Sequence, residues 1–154
     1  MSITQRPVWG RDLLLDYRHG GFYEDADLVI AERSAGPGRL ADLTVAPELD
    51  TVIQAVANRL KTRKGELAPL GHPDYGSRHH ELLGEPNVER TRNLIKLYVL
   101  QALKREPRIE KVIRCDVTAA HTPPREVVRI ALGLKLIGVQ APANLVIPFS
   151  LEAS

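Results

Sequence analysis

The chain has 154 residues, 44% of them hydrophobic and 26% charged, and its 21 basic and 19 acidic residues give a net charge of +2. This composition is typical of one globular domain with a stable core, and the lack of a block of like charges argues against nucleic-acid binding. The single cysteine, Cys115, excludes an intramolecular disulfide and a cysteine-based zinc site.

Membrane insertion is not expected from the apolar segments. None approaches the roughly 18 residues of a membrane span, and the N-terminus lacks the pattern of a signal peptide. We therefore predict cytoplasmic synthesis and no membrane contact. We recognise no internal repeat, and we interpret the chain as an N-terminal arm (residues 1–46) and a core domain (residues 47–154).

The arm is predicted to contain short strands. Glycines and prolines interrupt its apolar runs, such as Leu13–Leu15 and Leu28–Glu32, too often for a helix. Gly36-Pro37-Gly38 has the composition of a turn that would join the second run to Leu40–Val45.

The core domain is predicted to begin with an amphipathic helix. Pro47 suits the first turn of a helix, and the helix should end before Gly65. Apolar and polar residues follow at the spacing of two opposite helical faces. The apolar face is Leu49, Val52, Ile53, Val56 and Leu60, and the polar face is Asp50, Gln54, Asn58 and Lys61.

A second helix is predicted after the glycine- and proline-rich segment 65–86. Within that segment, Ser77 is placed to cap a short helix over Arg78–Leu83. Asn87 is the predicted N-cap of the long helix, which Pro107 ends. Because apolar residues occupy most of its sides, the long helix is expected to be central and buried.

Beyond Pro107, hydrophobic residues alternate with polar ones over three segments, which predicts half-buried strands. Short linkers favour an antiparallel meander, so the fold class is α+β, with helices covering one face of the sheet. Cys115 is predicted to be buried in the first strand. Pro148 cannot donate to a ladder, so the last strand should lie at an edge or contain a bulge.

Metal chemistry has weak support. The histidines that come nearest to a cluster are His72, His79 and His80, but His79 and His80 are adjacent and would point in different directions on a helix. No His-Glu-x-x-His pattern occurs. We predict no metal site and no cofactor.

Catalytic chemistry has one candidate pair, Glu66 and Asp74, which could act as acid and base in glycoside hydrolysis. The competing interpretation is that glycines set the turns and Glu66 ties the loop down by hydrogen bonds. We favour the second, because no cluster of sugar-binding aromatic residues accompanies the pair. Ser77 lacks the Gly-x-Ser-x-Gly motif of a nucleophile.

Short motifs between Gly65 and Arg108 occur in a characteristic order. Gly65-Glu66 precedes a Pro-x-aromatic-Gly-Ser loop that contains Tyr75, Gly76 and Ser77, and Glu106-Pro107-Arg108 follows the long helix. This series resembles the baseplate wedge and sheath-initiator family of contractile phage tails, R-type pyocins, type VI secretion and extracellular contractile injection systems. One position departs from the family pattern, because the aromatic residue that commonly precedes Glu-Pro-Arg is Arg105 here.

The resemblance implies a structural, non-enzymatic protein, present in several copies in a symmetric baseplate. Its partners would be larger wedge proteins and sheath subunits, with tube or hub proteins as further candidates. Wedge proteins would bind the helical side and the Glu-Pro-Arg region, where Glu106 and Arg108 form an interface or buried ion pair and Pro107 fixes the exit from the helix. The sheath would extend the edges of the sheet.

Two alternatives remain open at this stage. Some members of the family carry a lysozyme label, which predicts a cell-wall hydrolase that depends on Glu66. The same domain has also been linked to an adaptor role, which predicts a one-to-one complex with a soluble protein.

Overall fold

The computed structural model describes residues 10–16, 27–31, 42–121 and 123–152. Two α-helices and a three-stranded sheet form the core domain, and four very short strands lie in the arm. In chain order the elements are β1 (Leu15–Asp16), β2 (Asp27–Leu28), β3 (Ile30–Ala31), β4 (Asp42–Leu43), α1 (Glu48–Lys61), two 3-10 helices (Ala68–Leu70 and Arg78–Leu82), α2 (Glu89–Leu103), β5 (Ile109–Ala119), β6 (Val127–Leu136) and β7 (Ala143–Ser150).

The sheet confirms the predicted α+β fold. Strands β5, β6 and β7 are antiparallel neighbours in that order. Alternate side chains of β6 point towards the helices, and Val128, Ile130 and Leu134 are at most 1% exposed. They pack with residues of α1 and α2 into one hydrophobic core, which includes the buried Cys115.

Strand β7 is an edge strand, as Pro148 predicted. The Leu151 N–H donates to Glu126 O (2.9 Å), next to the β6–β7 ladder. Because hydrogen-bonding direction alternates along a strand, Pro148 and Val146 face the free edge instead, which pairs with no other strand of the described residues. The missing N–H of Pro148 therefore costs the sheet no hydrogen bond.

Helix α1 starts as predicted, with Pro47 as its N-cap residue, but the assignment of its faces needs two corrections. Gln54, predicted on the polar face, is only 4% exposed, whereas Leu49 is 38% exposed. Gln54 is buried because its side-chain amide is satisfied by the arm. It donates to Leu13 O (2.9 Å) and Asp12 Oδ2 (3.3 Å) and accepts the Leu15 N–H (2.9 Å).

Helix α2 also differs from its prediction. Its N-cap is Val88, since the side chain of Asn87 instead donates to Arg125 O (2.7 Å) and accepts from Arg92 (2.9 Å). The helix is buried against several elements, as predicted, but one side is exposed. Leu97 is 47% exposed, because it lies on the side of α2 that the sheet, the 3-10 helix Arg78–Leu82 and α1 leave uncovered.

The 3-10 helix Arg78–Leu82 occupies the predicted position of a short helix, but the Ser77 side chain does not cap it. The Ser77 hydroxyl lies 2.8 Å from His79 Nδ1 and 3.5 Å from Tyr98 O. The hydroxyl does not cap the helix because it contacts these two groups instead.

The arm contains an internal repeat, so the absence of repeats inferred from the sequence was wrong. Segments Asp12–Asp16, Asp27–Ala31 and Asp42–Ala46 each begin with Asp-Leu and start fifteen residues apart. The second position of each segment pairs with the fourth position of another: Leu13 with Val45, Leu28 with Leu15, and Leu43 with Ile30.

Backbone hydrogen bonds close the three repeats into a ring. The Leu14 N–H donates to Thr44 O (2.8 Å), the Thr44 N–H to Val29 O (2.9 Å), and the Val29 N–H to Leu14 O (3.0 Å). This pairing confirms strands in the arm, although the predicted turn at residues 36–38 lies outside the described residues. Gln54 connects only the first repeat to the core domain through the contacts described above.

Candidate protein interface

The loop after α1 folds back on the end of that helix. The Ser77 N–H donates to Thr62 O (2.9 Å), and the Lys64 N–H donates to Ser77 O (3.2 Å). Gly76 lies between these contacts with φ +97°, and a Cβ there would approach Arg63 O to 2.6 Å. Only glycine fits this backbone conformation and this close approach.

Gly65 and Glu66 form the turn that opens the same loop. Gly65 has φ +86°, but a Cβ there would meet no atom within 4 Å, so only its conformation favours glycine. Glu66 Oε2 accepts the Arg63 N–H (3.0 Å). Glu66 therefore braces the turn, in the manner that the second interpretation of the sequence described.

Glu106 is the centre of an ion-pair cluster at the junction of α2 and β5. Its side chain is 3% exposed and contacts Arg108 Nε (2.5 Å) and an Arg59 guanidinium nitrogen (3.5 Å). Pro107 follows Glu106 on the exposed surface, and the Arg108 carbonyl accepts the Ile137 N–H (3.0 Å). The carboxylate thus joins the end of α1 to the start of the sheet.

The electrostatics of this cluster favour the ionised carboxylate. Burial alone would raise the pKa of Glu106, but the hydrogen bond and positive charge of Arg108, with the charge of Arg59, lower the pKa below its ordinary value. The Arg108 side chain is 25% exposed and that of Arg59 is 12% exposed, so solvent reaches the cluster mainly through Arg108.

Tyr75 extends the cluster towards the loop. The Arg59 guanidinium lies over its ring, 4.6 Å from the centroid. The sequence analysis did not predict a role for Arg59. Its position next to the buried Leu60, in the last turn of an amphipathic helix, is a sequence signal for a buried ion pair.

Arg105 replaces the aromatic residue of the family pattern with an ion pair. Its guanidinium lies 3.0 Å from Asp74 Oδ2, and Lys64 lies 3.8 Å from the other carboxylate oxygen. Asp74 is 64% exposed, and its two ion pairs connect the loop to the turn that follows α2.

Ser77 and His79 form a buried polar pair that resembles part of a catalytic triad only in composition. The two residues are buried, at 1% and 2% exposed. The His79 ring stacks on His80 (4.2 Å) and meets the edge of Phe149 (4.6 Å). Among the residues that the structure describes, no three His, Cys, Asp or Glu side chains converge as a metal site.

Acid should destabilise the domain through His79. Burial, with a smaller contribution from His80, lowers the pKa of His79 from 6.5 to about 3. Below pH 6.5, His79 therefore binds a proton in the unfolded chain but stays neutral in the folded chain. The free energy of unfolding falls by about 1.4 kcal/mol for each unit by which the pH decreases between 6.5 and about 3.

Urea titrations at pH 7 and pH 5 measure this effect. We expect His79 to contribute a loss of about 2 kcal/mol in the original chain, and His79→Gln should remove this contribution. Burial also lowers the pKa of His80, so the loss that His80 contributes should remain in His79→Gln. His72→Gln, at an exposed position, is the matched control and should retain the loss. Equal losses in all three proteins would show that His79 is not the responsible group.

An apolar groove lies beside the free edge of β7. Its volume is about 280 Å³, and it is bounded by α1, the first repeat of the arm and β7. Its apolar lining comprises Leu14, Leu15, Ile53, Ala57, Leu145, Val146 and Ile147, with Asp50, Gln54 and Lys61 as polar members.

Comparison with known proteins identifies the family. The family model described as "Baseplate wedge protein gp25" matches residues 47–138, which is more than half of the chain. The chain belongs to the baseplate wedge protein gp25 family. It is therefore a structural tail or baseplate component that assembles with other baseplate components in a tail-like particle.

A solved structure supports the fold of this gp25-family chain. A candidate tail lysozyme from Geobacter sulfurreducens superimposes with a TM-score of 0.61 at 22% identity, covering 73% of this chain and 99% of the other. A search of curated proteins gave no match. Across the described part of the chain, no helix is both long and apolar enough to span a bilayer.

Proposed function

We propose that this chain connects larger wedge proteins to the sheath and initiates sheath assembly by accepting a strand on β7. The observation that carries the proposal is the coincidence of a free strand edge with an apolar groove. An added strand gains main-chain hydrogen bonds from the edge, and its alternate side chains gain burial in the groove.

Strand β7 is a better template than β5, the other edge of the sheet. The β5 ladder has register shifts between Ile109 and Lys111 and between Val112 and Arg114. Such irregularities protect edges from pairing. On β7, Asn144 and Val146 offer both N–H and C=O groups to the free edge before Pro148 interrupts the series.

We propose that the wedge-binding side lies at the start of β5, on the opposite edge of the sheet from β7. We propose that Gly65, Glu66, Tyr75, Gly76 and Ser77 shape this surface together with the junction Glu106-Pro107-Arg108. The burial of Glu106 supports a structural role for its carboxylate, whereas Arg108 and the exposed Pro107 are accessible to a partner.

Cell-wall hydrolysis is the second candidate function, suggested by the name of the Geobacter protein. The contacts of the two candidate carboxylates favour the structural role, because Glu66 accepts a backbone hydrogen bond and Asp74 forms ion pairs with two cations. We propose that the chain is not an enzyme.

Proline substitution tests the strand-addition mechanism. Val146→Pro removes an N–H from the free edge without touching the β6–β7 ladder, as Pro148 already does. Blocking this pairing should cost about 1–2 kcal/mol, or roughly tenfold fewer sheathed particles in electron micrographs. Circular dichroism should show an unchanged fold.

Ala119→Pro is the matched control on the free edge of β5. The Ala120 N–H donates to Val127 O, so the Ala119 N–H faces away from the sheet. This variant should assemble sheath normally. Normal assembly with Val146→Pro, or equal failure of both variants, would contradict the proposal.

A further inference from the structure

A second cleft, lined by several charged side chains, lies between the loop after α1 and the C-terminal turns of α2. Its volume is about 270 Å³. The small buried residues Gly76, Ser77 and Ala102 line its base. The remaining lining is Lys64, Asp74, Arg78, Tyr98, Gln101, Lys104 and Arg105.

Positive charge is concentrated in this cleft. Four of its lining side chains are cationic and one is anionic, whereas the whole chain has 21 basic and 19 acidic residues. The Lys64, Arg78 and Arg105 side chains are 37%, 43% and 51% exposed, and Lys104 is also exposed. The cations are therefore within reach of a ligand.

The carboxylates nearby do not saturate these cations. Asp74 is shared between Lys64 and Arg105, and Glu81 engages Arg78 from outside the cleft through two hydrogen bonds. The Arg78 guanidinium also lies over the Tyr98 ring (4.7 Å), which fixes one wall. A guanidinium has five N–H donors, so Arg105 has donors available beyond its contact with Asp74.

We propose that this cleft binds an acidic peptide segment of a baseplate partner. Carboxylates are the matching ligands for a group of exposed arginines and lysines. The cleft is compact and holds one or two side chains, whereas a nucleic acid needs an extended basic stripe along its backbone. The proposal rests on the proposed function, because Gly76, Ser77 and Arg105 connect the cleft to the wedge-binding side.

Nuclear magnetic resonance titration of the full chain with octaglutamate tests the proposal. Amide shifts should change around Lys64, Ser77 and Gln101–Arg105. Lys64→Gln combined with Lys104→Gln should weaken binding about tenfold, and raising the salt concentration from 20 to 300 mM should weaken it further. Octaglutamine should not bind.

Lys111→Gln combined with Arg129→Gln is the matched control. It removes the same charge from exposed positions on the sheet face opposite the helices, and its affinity should change less than twofold. Equal losses in both double variants would overturn the proposal, since binding would then follow net charge. Tighter, cleft-dependent binding of an eight-nucleotide oligothymidylate would overturn it in favour of a phosphate site.

The titration is independent of sheath assembly. If octaglutamate does not bind the cleft, Val146→Pro should still reduce the number of sheathed particles. Conversely, normal sheath assembly by Val146→Pro would contradict strand addition at β7, whereas octaglutamate binding to this variant should be unchanged.

Discussion

Gly76→Ala should destabilise the domain by about 3–4 kcal/mol, the largest effect we expect from a single substitution outside the hydrophobic core. A left-handed backbone costs a residue with a Cβ roughly 1–2 kcal/mol, and at φ +97° this cost applies fully. The new Cβ would also lie 2.6 Å from the Arg63 carbonyl oxygen, which is backbone and cannot swing away.

Gly65→Ala separates these two contributions. Gly65 has a similar φ, +86°, but no atom lies within 4 Å of an added Cβ. We expect this variant to lose only about 1–2 kcal/mol of the free energy of unfolding, measured by urea titration at pH 7. Equal losses in the two variants would show that the close approach between Gly76 and Arg63 is not a constraint.

Glu106→Gln should cost about 2 kcal/mol, because it removes the charge of the buried carboxylate that pairs with Arg59 and Arg108. We place the value below that of a fully buried pair, since Arg108 is 25% exposed and water screens its charge. Glu110→Gln is the matched control. Glu110 pairs with Lys135 at the surface, so its loss should cost under about 0.5 kcal/mol.

The pH dependence of the Glu106→Gln effect has a defined sign. Because the folded pKa of Glu106 is lowered below 4.5, its stabilisation is present above that value and is lost as pH falls through the folded pKa. The difference between the original chain and Glu106→Gln should therefore shrink below about pH 4.5. A difference that grows in acid would contradict an ionised, paired carboxylate.

Local sequence patterns predicted the elements in which the spacing of apolar residues alone determines the buried face. Alternation gave the three strands, and Pro148 predicted an edge because its ring removes an N–H wherever it lies. Predictions failed where partners came from distant segments. Gln54 is buried through contacts with Asp12–Leu15, about forty residues earlier, and no helical pattern contains that information.

The repeat of the arm was missed because its regular segments are short. Each contains five residues, and the intervening ten residues differ between repeats. Searches for repeats rely on longer periods of about 20–50 residues. At the candidate interface, the motif resemblance singled out Glu106 and Gly76 as candidates, whereas the ion pair with Arg59 depends on the fold, which brings α1 and the end of α2 together.

Amide hydrogen exchange in assembled particles tests the central claim most directly. In the isolated chain the N–H groups of Asn144 and Val146 face the free edge and should exchange rapidly. In sheathed particles both should become protected by at least about tenfold, since a sheath strand would accept their hydrogen bonds. Unchanged exchange at Asn144 and Val146, with new protection at Val117 and Ala119 on β5, would contradict strand addition at β7.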